Sequence, residues 1–197
     1  MSKLIISAMP IFSLILSLSL SIHGLSAQSS SIISAKTQLF LNTLSPEELS
    51  RTNYEFSDSL RFKWTNLPVG MVPRPGIQYG SLSDESRLAF HEVIISILSS
   101  QGYLKLTSIM QLDDILNTLI QEEYNKGEIT AELLKNLQNL QWAHGNYYIS
   151  IWGKPQDKEP WGLNFGGHHM ALNLTITAES IAVSPFFIGT DPAQVLG

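Results

Sequence analysis

Two adjacent histidines carry the strongest chemical signal in this sequence. They stand in the run Gly166-Gly167-His168-His169, and Asn173 follows them. An imidazole can bind a metal ion, move a proton or hydrogen-bond a ligand near neutral pH. We therefore predict a histidine-centred site in which His169 and His168 act as base or as metal ligands and Asn173 orients a bound group. The cofactor of such a site would be a divalent metal ion.

The predicted backbone limits how the two histidines can cooperate. Apolar and polar residues alternate from Gly167 to Thr177, which predicts a β-strand whose neighbouring side chains point to opposite faces. His168 then lies on the apolar face and His169 on the polar face with Asn173. One metal ion could not bind both histidines unless a bulge at the glycines changes the parity. The structural alternative is a buried His168 hydrogen-bonded to the backbone beside an exposed His169.

A loop rich in proline and glycine offers a second set of polar groups. These residues exclude a regular element between Asn66 and Gly80; Arg74 lies in the loop, and Arg61 and Trp64 precede it. Arginine beside an aromatic ring in a rigid loop suits an anionic group or a carbohydrate. We predict that Arg61, Arg74 and Trp64 bind substrate and that the partner is a small anionic ligand. The alternative is that the arginines form salt bridges that hold the loop to the helices.

The composition argues against several other functions. The sequence contains no cysteine, which removes thiol catalysis and thiolate metal sites. Its net charge is −5 and it has no basic stripe, which argues against nucleic-acid binding. No Gly-x-Ser-x-Gly elbow, phosphate-binding glycine loop or dinucleotide fingerprint is present. His91-Glu92 is similar to the start of a metalloprotease helix, but position 95 is isoleucine rather than the second histidine.

The N-terminus has the order of a secretory signal peptide. A basic start at Lys3 precedes an apolar and serine-rich run from Leu4 to Ile22, and Leu25-Ser26-Ala27 supplies a small residue for cleavage. We predict a signal peptide over residues 1–27 and a secreted or extracytoplasmic protein, periplasmic in a Gram-negative host. The alternative is a retained anchor, because the run approaches the roughly 20 residues that span a bilayer. Only an uncleaved leader would bring the protein to a membrane.

Helical patterns fill the first half of the remaining chain, and strand patterns fill the second half. Helices are expected near 32–40, from Ser45, from Ser83 to Gly102, near 109–126 and at 130–140. An extended segment is expected at 56–64, and strands at 147–152, 167–177 and 181–188. This order predicts one α+β domain over 28–197, with N-terminal helices packed on a C-terminal antiparallel meander. Because a sheet of three strands is small for such a domain, we also expect the fold to be incomplete and the chain to be truncated at its C-terminus.

An ordered set of short motifs resembles one known family, catalogued as domain of unknown function 3500. The resemblance runs from about Leu39 to the end of the chain. It implies a similar fold and further chain after Pro192-Ala193, and it supplies no activity. The motifs that carry it are Arg61-x-x-Trp64-x-x-x-Pro68, Arg74-Pro75-Gly76-Ile77, Leu98-Ser99-x-x-Gly102-Tyr103, Ile109-Met110, Trp152-Gly153-x-Pro155, Pro160-Trp161-Gly162, Gly167-His168-His169-x-x-x-Asn173 and Pro185-x-Phe187-x-Gly189-x-x-Pro192-Ala193.

Two functions fit these residues. The first is an exported hydrolase-like or metal-dependent enzyme that uses the histidines, with Arg61 or Arg74 binding an anionic substrate group. The second is a non-catalytic extracytoplasmic binding or structural domain. The enzyme requires His168, His169, Arg61 and Arg74 to converge on one concavity.

Overall fold

Helices precede a sheet along the chain, as the sequence predicts. The computed structural model describes residues 29–156 and 158–193. Helical backbone spans 29–42 (α1). The further helices are α2 Pro46–Thr52, α3 Asp84–Ile97, α4 Ser100–Asn125 and α5 Ala131–Gln138. The strands are β1 Asn53–Tyr54, β2 Ile77–Gln78, β3 Tyr148–Trp152, β4 Trp161–Gly167, β5 Met170–Ile176 and β6 Ile181–Ile188. The α+β class is therefore confirmed.

Local side-chain hydrogen bonds fix where the helices begin. At α2 the Ser45 hydroxyl accepts the Glu48 amide, and the Glu48 carboxylate accepts the Ser45 amide, which is the capping box that the sequence predicts. Ser83 caps α3 in the same way through the Ser86 amide. The predicted end of α3 at Gly102 is wrong: α3 ends at Ile97, and Gly102 lies in the first turn of α4, where its amide donates to Ser99.

The sheet is a four-stranded antiparallel meander with two short additions. Its order is β1-β3-β4-β5-β6, and β2 also pairs with β3. β1 runs parallel to the end of β3 and β2 runs antiparallel to its start, so both lie along one edge of β3. The predicted meander is confirmed. The sequence missed the short strands β1 and β2, and β2 lies in the 66–80 loop that was predicted to hold no regular element. It also missed the strand between the first two members of the predicted meander. That strand, β4, contains glycine at 162, 166 and 167, which are residues that strands disfavour.

The two faces of the meander have different coverings. One face belongs to the hydrophobic core, where Phe165 of β4 contacts Phe90 of α3 edge-to-face with ring centroids 4.8 Å apart. The opposite face carries polar residues and lies under the segment between β1 and β2. The Arg61 guanidinium of that segment donates to Thr175 over 2.6 Å. The alternation predicted at 167–177 is therefore observed along β5 as opposite facing: Leu172 and Leu174 belong to the core, whereas Asn173 lines a cleft on the other face.

Two other sequence expectations have separate outcomes. The extended segment predicted at 56–64 is wrong, because the chain there forms turns and a 3₁₀-helix at Ser59–Phe62. The signal peptide predicted at 1–27 lies outside the described residues. Within the described residues, no helix combines the length and apolarity needed to cross a bilayer.

Gly167 allows an aromatic ring to lie directly on the sheet. A Cβ at this position would fall 2.5 Å from Cδ1 of Tyr147, whose hydroxyl donates to the His168 carbonyl. We expect Gly167→Ala to lower the free energy of unfolding by about 1–3 kcal/mol, because the Tyr147 ring must move. Chemical denaturation measures this. The control Gly102→Ala, which meets only side-chain atoms at 3.4 Å or more, should raise the free energy by up to about 1 kcal/mol. Equal effects of the two changes would refute the packing role of Gly167.

Candidate functional site

His168 and His169 form the two-residue turn between β4 and β5. Gly167 pairs with Met170 across this hairpin, so neither histidine belongs to a strand. His169 has a φ of +56°, in the left-handed region that histidine tolerates better than most residues. The predicted separation of the two side chains onto opposite faces therefore does not apply. Instead the imidazole rings stack, with their centroids 3.9 Å apart.

A buried carboxylate orients His168. The His168 Nδ1 atom lies 2.7 Å from Oδ1 of Asp113, and these residues are 7% and 3% exposed. Because a carboxylate only accepts hydrogen bonds, Nδ1 carries the proton and donates it to Asp113. Nε2 is then the imidazole nitrogen left for a metal ion or a proton. A carboxylate on the far nitrogen is how proteins orient histidine ligands of metal ions.

Two further side chains enclose this pair. The Trp142 ring stacks on His168 with centroids 5.9 Å apart. The Tyr147 hydroxyl donates over 2.7 Å to the His168 carbonyl, on the other side of the turn. Burial raises the pKa of Tyr147, and the Asp113 charge raises it further, so this hydroxyl stays protonated and acts as a donor.

His169 is held by its backbone and has a free ring nitrogen. Its amide donates to Asn66 over 2.9 Å, and its carbonyl accepts the Gly189 amide over 2.7 Å. The Nδ1 atom is buried and has no hydrogen-bond partner within the described residues. Burial lowers the pKa of His169 and the neighbouring His168 lowers it further, which favours the neutral ring that binds metals.

Asp191 completes a group of three metal-ligating side chains. One ligand atom each from His168, His169 and Asp191 lies within 4.8 Å of the others. Asp191 arrives there because the end of β6 is tied to the turn through the Gly189 amide. Two imidazoles and one carboxylate match the protein ligands of catalytic zinc and of non-haem iron sites. We call His168, His169, Asp191 and Asp113 the turn cluster.

The other predicted site residues gather on the polar face of the sheet. Trp64, Arg74 and Asn173 line one cleft there, together with Tyr148 and Ser150. The Asn173 side chain is 7% exposed and donates over 2.7 Å to the Pro185 carbonyl, beside the register shift between β5 and β6. Its side-chain amide therefore holds the irregular part of β6.

The two arginines are fixed without carboxylate partners within the described residues. Arg74 donates through Nη2 to the carbonyls of Thr65 and Leu67, while its Nε and Nη1 atoms are buried without partners. Arg61 lies in a neighbouring cleft, with its guanidinium 4.1 Å from the centre of the Phe56 ring. Burial lowers the pKa of both groups. Within the described residues, neither arginine forms a salt bridge to the helices, so the alternative role for them is wrong.

The predicted residues thus form two sets rather than one. His168 and His169 belong to the turn cluster, whereas Arg74, Trp64 and Asn173 line the cleft on the sheet face, with Arg61 beside it. The clefts that Arg74 and Arg61 line do not include either histidine. The histidine cluster remains as the part of the sequence-based enzyme hypothesis with a geometric basis.

The remaining described histidines lie outside the turn cluster. His91 of α3 is held between two tyrosines, with Tyr79 Oη 2.8 Å from Nε2 and Tyr103 Oη 2.8 Å from Nδ1. His144 pairs with Asp114 over 2.7 Å at the surface. Neither imidazole joins a third ligating group.

Sequence reasoning missed Asp113 and Asp191. Asp113 lies on the buried face of α4 with Ile109 and Met110, and a carboxylate on an apolar helix face is a detectable signal for a buried partner. Asp191 carries no such signal. Its position depends on β6 returning alongside the turn, which requires the tertiary structure.

These features define an α+β protein with a histidine–carboxylate cluster at a hairpin turn. A family model described as Protein of unknown function (DUF3500) matches residues 26–197, and the chain belongs to that family. The resemblance that the sequence motifs carry is therefore confirmed. No curated protein and no solved structure matches the chain.

The adjacent carboxylates of α4 allow a matched test of the buried pair. We expect Asp113→Ala to lower the free energy of unfolding by about 1–3 kcal/mol, because it leaves a buried imidazole donor unsatisfied. Asp114→Ala removes the half-exposed pair with His144 and should cost less than about 1 kcal/mol. Denaturant titration of both variants measures the difference. An Asp113 variant as stable as the Asp114 variant would contradict the orienting role of Asp113.

Proposed function

We propose that this protein is an exported, metal-dependent hydrolase whose divalent ion is held by His168, His169 and Asp191. The observation that carries the proposal is the convergence of these three groups at a turn where a buried Asp113 already orients His168. Export rests on the leader-like sequence of residues 1–27.

One structural feature supports a metal ion at these three side chains. His169 Nδ1 is buried without a hydrogen-bond partner in the described part of the chain, although burying an unpaired polar atom is unfavourable. A bound cation would supply the missing partner. Its charge would also offset the burial of ligating carboxylate and imidazole groups.

Three protein ligands leave a coordination position open. A divalent ion in such a site lowers the pKa of bound water to about 7 and polarises a carbonyl or phosphoryl oxygen. The contribution of the chain is orientation: Asp113 holds the His168 ring, and Trp142 shields it from water. The left-handed backbone at His169 turns the second imidazole towards the first.

Substitution by glycine at position 169 separates metal binding from folding. Glycine adopts the left-handed conformation freely, so the free energy of unfolding of His169→Gly should lie within about 1 kcal/mol of the wild-type value. We expect wild-type protein to bind one equivalent of Zn²⁺ by calorimetry. Loss of a group that only orients a metal ligand lowers metal affinity roughly 10–100-fold. We expect the Zn²⁺ affinity of His169→Gly to fall by more than this, because a ligand itself is removed.

The same variants test the hydrolase. The Zn²⁺-loaded wild type should cleave p-nitrophenyl esters, and His169→Gly should not. The control His144→Ala removes an exposed imidazole outside the turn cluster and should leave both binding and cleavage unchanged. Zn²⁺ binding without cleavage would refute the hydrolase, and equal Zn²⁺ binding by wild type and His169→Gly would refute the site. Co-purified iron with oxygen consumption would instead indicate the oxygenase chemistry of the same ligand set.

A second candidate function, non-catalytic binding of a small anion, is favoured by Arg74. Its guanidinium has two buried nitrogens that find no partner among the described residues, and it lies at a cleft with Trp64 and Ser150. A planar carboxylate matches the fork of an arginine. We expect acetate or phosphate to raise the melting temperature of the wild type but not of Arg74→Gln. The control Arg61→Gln, in the neighbouring cleft, should keep the shift. An equal shift in all three proteins would exclude Arg74 as the binding group.

A further inference from the structure

An apolar groove adjoins the turn cluster. It lies between α4 and the end of β6 and has a volume of about 550 Å³, within the range of small-molecule sites. Its lining residues are Leu104, Lys105, Ser108, Ile109, Leu112, Ile188, Gly189 and Thr190. Leu104 and Ile188 are 57% and 42% exposed, so the groove presents apolar surface to solvent.

The groove and the turn cluster share two stretches of backbone. Leu112 of the groove precedes Asp113, and Gly189-Thr190 precede Asp191. The Gly189 amide also donates to the His169 carbonyl over 2.7 Å. One end of the groove is therefore fixed beside the ligating groups. A molecule that lies along it would place one end near the site of the metal ion.

We propose that this groove binds the apolar chain of the substrate, and that the substrate class is a carboxylic ester with a hydrophobic acyl group. This inference rests on the hydrolase proposed above. The reaction is hydrolysis of the ester. The water oxygen bonds to the acyl carbon, the bond between the acyl carbon and the alcohol oxygen breaks, and the alcohol leaves with a proton from the water. A divalent ion held by His168, His169 and Asp191 would supply the activated water for this step, and no other reactant would be needed.

The lining defines which chain the groove accepts. Among the described residues that line it, the side chains are apolar except for Ser108, Thr190 and Lys105, and Lys105 is the one charged group. Burying each further methylene group in such a surface should raise the affinity about fourfold, so affinity should rise with chain length until the groove is full. The single cation disfavours substrates with positively charged chains.

Gly189 keeps the groove open beside the turn. A Cβ there would lie 3.3 Å from the Phe187 ring and 3.7 Å from Cβ of His169. This crowding makes Gly189 a poor test position, because its substitution would disturb the turn cluster as well. Ser108 is better suited: it is exposed on α4, lines the groove and belongs to no ligating group.

The test fills the groove and leaves the turn cluster intact. Ser108→Trp places an indole in the groove. The matched control Asn117→Trp places one at an exposed position further along α4, on the opposite side of the helix from Ser108. Decanoate is the binding probe, measured by calorimetry on the Zn²⁺-loaded and the metal-free full chain. p-Nitrophenyl esters of two to twelve carbons are the substrates.

The wild type and Asn117→Trp should bind decanoate, with kcat/KM rising at least tenfold from the two-carbon to the ten-carbon ester. Ser108→Trp should lose decanoate binding and the chain-length preference, while its Zn²⁺ affinity stays within twofold of the wild type. Decanoate binding that survives Ser108→Trp would overturn the inference. So would a dimer that only Ser108→Trp dissociates, since a second copy would then occupy the groove.

These measurements distinguish failure of the hydrolase proposal from failure of the proposal that the groove binds an acyl chain. If no ester is cleaved but decanoate binds and Ser108→Trp abolishes that binding, the groove takes an acyl chain and the hydrolase is refuted. If esters are cleaved at the same rate whatever their chain length, the hydrolase holds and the groove inference is overturned.

Discussion

The hydrogen bond between Asp113 and His168 is the interaction on which the site depends. It joins the middle of a 26-residue helix to the tip of a hairpin, across 55 residues of sequence. Both partners are almost fully buried, and an unpaired charge there would be strongly unfavourable. Helix α4 must therefore dock in one register on the sheet. That register also sets the position of Leu112, which lines the groove.

The sequence was sufficient to predict most of the architecture. Ser45 with Glu48, and Ser83 before an apolar helical face, mark helix starts by local hydrogen bonding, and such contacts form whatever the rest of the chain does. The alternation along β5 likewise follows because one face, with Leu172 and Leu174, belongs to the hydrophobic core. Strand β4 was missed because its glycines contribute no side-chain pattern. Gly167 is tolerated because Tyr147 packs against its bare backbone.

The site was only partly predictable, for a geometric reason. His168 and His169 were recognised by residue type, but their relation depended on whether they belong to a strand or a turn. A strand would have separated the rings; the observed turn, with left-handed backbone at His169, stacks them. Arg74 and Trp64 were also recognised by type, and tertiary structure places them over the sheet face rather than at the turn. Asp191 reaches the histidines only through the pairing of β5 with β6.

The long sequence separation of Asp113 and His168 has a consequence for folding. Their bond closes a large loop, and loop closure costs chain entropy before any contact repays it. The turn cluster should therefore form late in folding, and it fixes the register of a helix α4 that has already packed on the meander. An ion that binds only the finished arrangement stabilises the native state by mass action, by an amount set by its concentration relative to its dissociation constant. At the metal site proposed above, metal supply would then set the fraction of molecules that are folded as well as whether they are active.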